Sequence, residues 1–200
     1  VNTKEKILQT ALKLFNDNDT KSITTNHIAK AAGISPGNLY YHFKNKEDII
    51  RALYRQMRDI IDFENKRLPD DLCEMKNYCD FVAKTWWEYR FLRKELLLLI
   101  NRDKHLANEV LEDNKKQYEK LLKLISHLIE KGCLKEIPKE TITYLADTIM
   151  LYSQFWTPYL LLLGEKVDKK SVKRVTEQIE RVFYPYLTEK SFKNLQECKS

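Results

Sequence analysis

The sequence predicts an all-α fold, an N-terminal three-helix head containing a helix-turn-helix and, after it, a C-terminal helical bundle. Three observations carry this. Apolar residues recur at three- and four-residue spacing along almost every segment, and no stretch alternates apolar with polar as a half-buried strand would. The four glycines and five prolines in 200 residues fall mostly at the ends of those periodic segments, where helices start and stop. Between Ile23 and Lys46, two short helical segments are joined by a tight turn containing glycine.

The head begins with a helix from Thr3 to about Asn16, whose Ile7, Leu8, Ala11, Leu12, Leu14 and Phe15 make one buried face. A polar turn from Asn16 to Ser22 follows, and Ile23 restarts the core. Thr24 and Thr25 offer hydroxyls to cap a second helix carrying Ile28, Ala29 and Ala32. Gly33 ends it, because the turn needs a residue tolerant of positive φ. Ile34 fills the corner, and Ser35-Pro36 opens the third helix as cap and first-turn proline. Leu39 and Phe43 then face back toward Ile28 and Ala32, leaving Asn38, Tyr40, Tyr41 and His42 to point outward or sideways. A helix presenting small polar groups beyond such a turn is the geometry that enters a DNA major groove.

Asn45, with Asp48 three positions on, caps a helix running through Ile49, Ile50, Leu53, Tyr54, Met57, Ile60 and Ile61 toward Lys66. It is long enough to leave the head and act as a lever. Pro69-Asp70-Asp71 marks its end. Helices are expected over Glu74–Trp87 and Tyr89–Ile100. Asp103 caps a long one reaching Lys131, with Leu111, Tyr118, Leu121, Leu122, Ile125, Leu128 and Ile129 inward, and Gly132 terminates it. Pro138 opens another to Leu163, closed by Gly164, in which Pro158 should kink the rod or end its regular hydrogen bonding early. Asp168 or Ser171 starts the last long helix, and Thr188 a short polar tail.

Two stretches point to a second copy of the chain. Val172, Val175, Ile179, Val182 and Tyr186 recur at 3, 4, 3, 4, the seam of a helix packed against partners. The preceding helix is apolar nearly all round from Ile149 to Leu160, and one chain covers only one side of such a rod.

Charge and composition narrow the function. Up to Arg58 there are ten basic residues against five acidic, whereas the remainder is close to balanced, within a net charge of +6. The positive excess therefore lies in the head, as polyanion binding requires. The four cysteines, Cys73, Cys79, Cys133 and Cys198, show neither C-x-x-C spacing nor histidines arranged for zinc, so no metal or other cofactor is expected. No glycine-rich phosphate loop, H-E-x-x-H or G-x-S-x-G motif gives catalysis a foothold. Apolar runs such as Leu96–Ile100 and Tyr159–Leu163 are too short to span a bilayer, and a soluble protein of the reducing cytoplasm is expected.

The string T-x-x-IA-x-x-AGIS-x-G-x-LYYHF-x-x-K, from Thr25 to Lys46, resembles the helix-turn-helix of the TetR family of bacterial transcriptional regulators. The stretch from Trp86, WWEYRFLRKELLLLINRDKHLANEV, is similar to a TetR subgroup with a W-x-x-YRF-x-x-x-x-L pattern. The resemblance implies a DNA-binding domain at 1–46 and an effector-binding and dimerisation domain at 47–200. It implies phosphate contacts from Thr25, Tyr40, Tyr41, His42 and Lys46, around the capping Ser35. Base reading falls to Pro36, Gly37 and Asn38, with Asn26 one helix earlier; asparagine pairs bidentately with adenine. Pairing of the last two long helices would give a homodimer on a palindromic operator. An effector pocket for a small apolar or amphipathic ligand is expected among Trp86, Trp87, Tyr89 and Phe91, with Tyr118, Tyr152, Phe155 and Trp156 from later helices. The function implied is a ligand-released repressor; the alternative is a DNA-bound scaffold that recruits a protein partner without a small effector.

Overall fold

In the computed structural model each head helix starts where a side chain can take the first free backbone N–H groups. The structure describes residues 2–197; Val1 and residues 198–200, Cys198 among them, lie outside the described residues, as do the side chains of 196 and 197. Helix α1 (Thr3–Asp17) is capped by Asn2, whose Oδ1 accepts from Glu5 N at 2.8 Å. Then come α2 (Thr25–Ala31), α3 (Pro36–His42) and α4 (Lys46–Ile61), with Asn45 Oδ1 accepting from Asp48 N at 2.8 Å at the start of the last. The remaining helices are α5 (Leu72–Glu88), α6 (Arg90–Arg102), α7 (Lys104–Glu130), α8 (Lys139–Leu162), α9 (Lys169–Phe183) and α10 (Glu189–Glu197), with a 3-10 turn at Tyr184–Tyr186. Among the described residues no helix is long and apolar enough to cross a membrane.

Packing groups these elements into two units. The first comprises the chain up to Ile60 together with Glu88–Val110, so that α6 and the start of α7 join α1–α4. Its core is Ile7, Leu8, Ala11 and Phe15 of α1, Ile28 and Ala29 of α2, Leu39 of α3, Ile49, Ile50 and Leu53 of α4, and Phe91 and Leu92 of α6. The rings of Phe15 and Phe91 lie 5.3 Å apart. Burying each such side chain is worth about 1.5–3 kcal/mol. Asp103 caps α7 as expected, its Oδ1 accepting from His105 N at 2.9 Å and Leu106 N at 3.3 Å, while Oδ2 pairs with Arg51 of α4.

The second unit comprises Ile61–Trp87 and the chain from Leu111 onward. Helices α8 and α9 form its principal pair, and the indole of Trp156 donates to Ser171 O at 2.9 Å at the start of α9. Both candidates for the start of α9 act together: Asp168 Oδ1 accepts from Ser171 N, and Ser171 Oγ accepts from Asp168 N, each at 2.8 Å.

Several sequence expectations need correction. The helix expected to reach Lys66 stops at Ile61, because Asp62 turns to φ 46° and Asn65 holds its carboxylate at 2.7 Å. The turn that follows is held from α7, where the Lys120 ammonium donates to the carbonyls of Phe63, Glu64 and Lys66. Leu111 is exposed rather than inward, since Val110 takes the inward place in the same turn. Helix α8 ends at Leu162, one residue short of the expected Leu163, with Pro158 inside it and unable to donate a backbone hydrogen bond. The expected tail is α10, whose first turn accepts on Thr188 O from Phe192 N at 3.0 Å and whose Leu195 is buried.

The Asp168 carboxyl is held below its usual range, chiefly by the backbone hydrogen bond from Ser171. A carboxyl whose folded pKa is lower stabilises the fold above its unfolded value, about pH 4, and loses that contribution as pH falls through the folded value. Urea midpoints followed from pH 7 to pH 2 should therefore drop more steeply on the acid side for the wild type than for Asp168→Asn. Parallel curves would mean that this cap carries no titrating contribution.

Candidate nucleic-acid interface

Helices α2 and α3 are seven residues each, and their relative angle is set by the turn between them. Gly33 sits at φ +63°, with Gly33 N donating to Lys30 O at 3.1 Å and Ile34 N to Ala29 O at 3.0 Å. This crossed pair of bonds closes the helix end only when the residue after the cap is left-handed, and a side chain there would be strained. Ser35 then caps α3, its Oγ accepting from Asn38 N at 3.1 Å, with Pro36 in the first turn. At the start of α2, Thr24 Oγ1 accepts from His27 N at 3.2 Å and His27 Nδ1 accepts from Thr24 N at 3.4 Å. The sequence reading missed His27, because a histidine at this place of a reciprocal cap stands where Glu or Gln is usual.

With Leu39 and Phe43 buried against the core, α3 turns Pro36, Gly37, Asn38, Tyr40 and Tyr41 to the surface, and Asn26 is exposed on α2. Tyr40 OH lies 2.9 Å from Thr25 Oγ1, so two residues expected to contact phosphate are held together across the two helices. Tyr41 is 84% exposed, its ring edge-on to that of half-buried His42 at 5.1 Å. Ser35 spends its hydroxyl on the cap. The half-buried Lys46 turns its ammonium to backbone carbonyls, those of Thr20 at 2.7 Å and Ile23 at 3.0 Å. At Gly37 an added Cβ would meet Ser35 Oγ only at 4.0 Å, so nothing within the chain demands glycine there.

The residues expected to line an effector pocket fall in both units. Tyr89 and Phe91 belong to the first unit, where Phe91 packs against Phe15. Trp86, Trp87, Tyr118, Tyr152, Phe155 and Trp156 belong to the second. There Tyr152 and Trp156 are ring neighbours at 6.0 Å, Trp86 is buried, and Phe155 is 45% exposed on the outside of α8. The expected dimer seam is likewise turned inward: Val172, Val175 and Ile179 are buried within the single chain, with Val182 and Tyr186 half-buried. Their 3–4 spacing follows the packing of α9 within its own unit. Among the described residues, α8 carries an exposed apolar face at Tyr144, Leu151, Phe155, Tyr159 and Leu162.

An all-helical chain whose capped helix-turn-helix shows an open polar face defines a class of helix-turn-helix regulators. Comparison with known proteins sets the family. A model described as "Bacterial regulatory proteins, tetR family" matches residues 7–53, and one described as "Bacterial transcriptional repressor" matches residues 52–195. The chain is similar to the HTH-type transcriptional regulator AcrR of Shigella flexneri, 27% identical over 161 residues, covering 74% of this chain and 73% of that protein. It also resembles a TetR-family regulator from Marinobacter aquaeolei VT8, with 29% identity, a TM-score of 0.87, and coverage of 100% of this chain and 98% of the other. The SmeT–triclosan complex shares the fold, with a TM-score of 0.64 at 17% identity, over 94% of this chain and 92% of the other. The protein belongs to the TetR family of bacterial transcriptional regulators, a family of DNA-binding regulators and not of enzymes.

The Thr25–Tyr40 pair sits at the surface, so Tyr40→Phe should change stability by less than about 1 kcal/mol in urea unfolding. A loss of several kcal/mol would make the pair a structural bond and not a surface available to a ligand.

Proposed function

We propose that the protein is a dimeric repressor that binds a palindromic operator and is released from it by a small apolar or amphipathic ligand. The observation that carries this reading is the open face of α3, in a chain whose family is that of DNA-binding regulators. In the DNA-bound state two copies of α3 enter successive major grooves, roughly 34–36 Å apart. Thr25, Tyr40, Tyr41 and His42 position the head on phosphate oxygens, which fixes register without reading sequence. Asn38, with Pro36 and Gly37 close to the bases and Asn26 beside them, reads the groove. Lys46 braces the head through two backbone carbonyls, and the third N–H of its ammonium stays available to a phosphate.

A second copy covers the exposed face of α8. Ligand binding favours a conformation whose two heads no longer match the operator spacing, and DNA affinity falls by a coupling free energy of about 1–3 kcal/mol. An apolar ligand class is supported by the aromatic content of the second unit and by the solved complex of SmeT, a protein of the same fold, with triclosan. Work on chromosomal DNA assigns the protein to the cytoplasm.

Selection from random duplexes at near-physiological salt should enrich a palindrome with half-sites one turn apart. Recovery of DNA without a shared sequence would sink the operator reading. On that palindrome, Gly37→Ala should leave folding unchanged or improve it by up to about 1 kcal/mol while weakening DNA binding roughly tenfold, because the new methyl meets only the DNA. Asn38→Ala should chiefly relax sequence preference, by about 1–3 kcal/mol at the base it reads. Equal losses on every sequence from both variants would refute this division of roles.

Leu151→Glu and Phe155→Glu replace residues that are 61% and 45% exposed in the single chain, so both should stay folded. Sedimentation should show monomers that no longer hold the operator. Persistence of the dimer in both variants would put its interface elsewhere.

A further inference from the structure

Glu95 lies on α6 with only 8% of its surface exposed, and a carboxylate in such a place has to be answered by donors. The answer comes from Thr20, 75 residues away in the polar stretch between α1 and α2 and itself 1% exposed. Thr20 N donates to Glu95 Oε1 at 3.2 Å and Oε2 at 3.3 Å, and its hydroxyl donates to Oε2 at 2.5 Å. On its other side Thr20 O accepts from Lys46 Nζ at 2.7 Å, and the same ammonium reaches Ile23 O at 3.0 Å. A negative group thus draws on the donors of Thr20 while a positive group draws on its acceptor, an arrangement in which each bond polarises the next.

The neighbouring contacts run the same way. Asn16 Nδ2 donates to Glu88 O at 2.7 Å and Asn16 Oδ1 accepts from Phe91 N at 3.1 Å. Asp19 pairs with Lys94 at 2.6 Å, but that pair is exposed and contributes little by itself. The stretch fixed in this way leads directly into Ile23 and Thr24, from which α2 starts and where Thr25 meets Tyr40.

We propose that Glu95 is a positioning residue for DNA recognition: by holding Thr20, and through it Lys46, it sets where α2 begins relative to α3 and α4. The inference rests on the reading of α2 and α3 as the DNA-binding surface. No residue of the helix-turn-helix pattern is replaced by it; Glu95 acts on that pattern from α6.

The test uses the full chain and the palindrome selected with the wild type, at a temperature well below unfolding. Glu95→Gln and Thr20→Val should each lower operator affinity roughly tenfold, the scale of one lost charge-assisted hydrogen bond. The slope of log affinity against log salt should stay as in the wild type, because the count of neutralised phosphates is unchanged. Thr20→Ser keeps both donors and should bind like the wild type. The double variant Glu95→Gln/Thr20→Val should be no weaker than its weaker parent, since both break one latch.

A merely stabilising pair would lower the unfolding midpoint and leave the affinity of the folded protein alone; that result overturns the proposal. If Glu95→Gln does not fold, the comparison of Thr20→Val with Thr20→Ser decides, and equal affinities overturn it. A wild type that selects no sequence would sink the recognition reading itself, whereas a wild type that selects one and variants that match it would sink only the role of Glu95.

Discussion

Two seven-residue helices cannot hold themselves together in water, and the helix-turn-helix of this protein consists of two such helices. Each can form only a few internal hydrogen bonds, so most of its backbone groups depend on caps, on the turn at Gly33 and on burial against something larger. Ile28, Ala29, Leu39 and Phe43 supply the buried side, with α1 packed against α2 and α2 against α3 within the first unit. The polar face of α3 is free for a ligand because its stability is provided elsewhere. That separation leaves side chains such as Asn38 and Tyr41 outside the core, where substitution costs the fold little.

The same dependence explains which features were legible in the sequence. The caps of α2, α3 and α4 are local, written within three or four residues as Thr24, Ser35-Pro36 and Asn45 with Asp48. Gly33 is local too. What needed the structure are contacts across long separations: α6 joining the first unit through Phe15–Phe91 and Thr20–Glu95, and Lys120 holding the turn that ends α4. Lys46 shows the limit within the motif itself. Its position in the pattern suggests a cation facing DNA, yet the carbonyls that capture it belong to Thr20 and Ile23 in a stretch with no pattern of its own.

Periodicity located buried faces more reliably than it identified what buries them. In α9 the 3–4 spacing of Val172, Val175 and Ile179 is a true inward face, but its partners are in the same chain. Among the aromatic candidates for an effector site, Phe91 packs in the core of the first unit, Tyr152 and Trp156 adjoin on α8, and Phe155 is exposed. A list of large apolar side chains separates core, pocket and interface only once the direction of each is known.

Helix α8 makes that point in reverse. Nearly all-round apolarity needs cover on every side, and α9 with the rest of its unit covers Leu145, Ile149, Ser153 and Leu160. Tyr144, Leu151, Phe155, Tyr159 and Leu162 remain on the outside, spaced at seven, four, four and three residues along one face. A solvated helix gains nothing from five large apolar groups aligned in this way, and such a patch favours association. Closed symmetry then matters, because a face that pairs with its own copy about a twofold axis is used up in the dimer and leaves no sticky edge for further growth. In the proposed dimer that twofold axis would also relate the two copies of α3 that meet a palindrome.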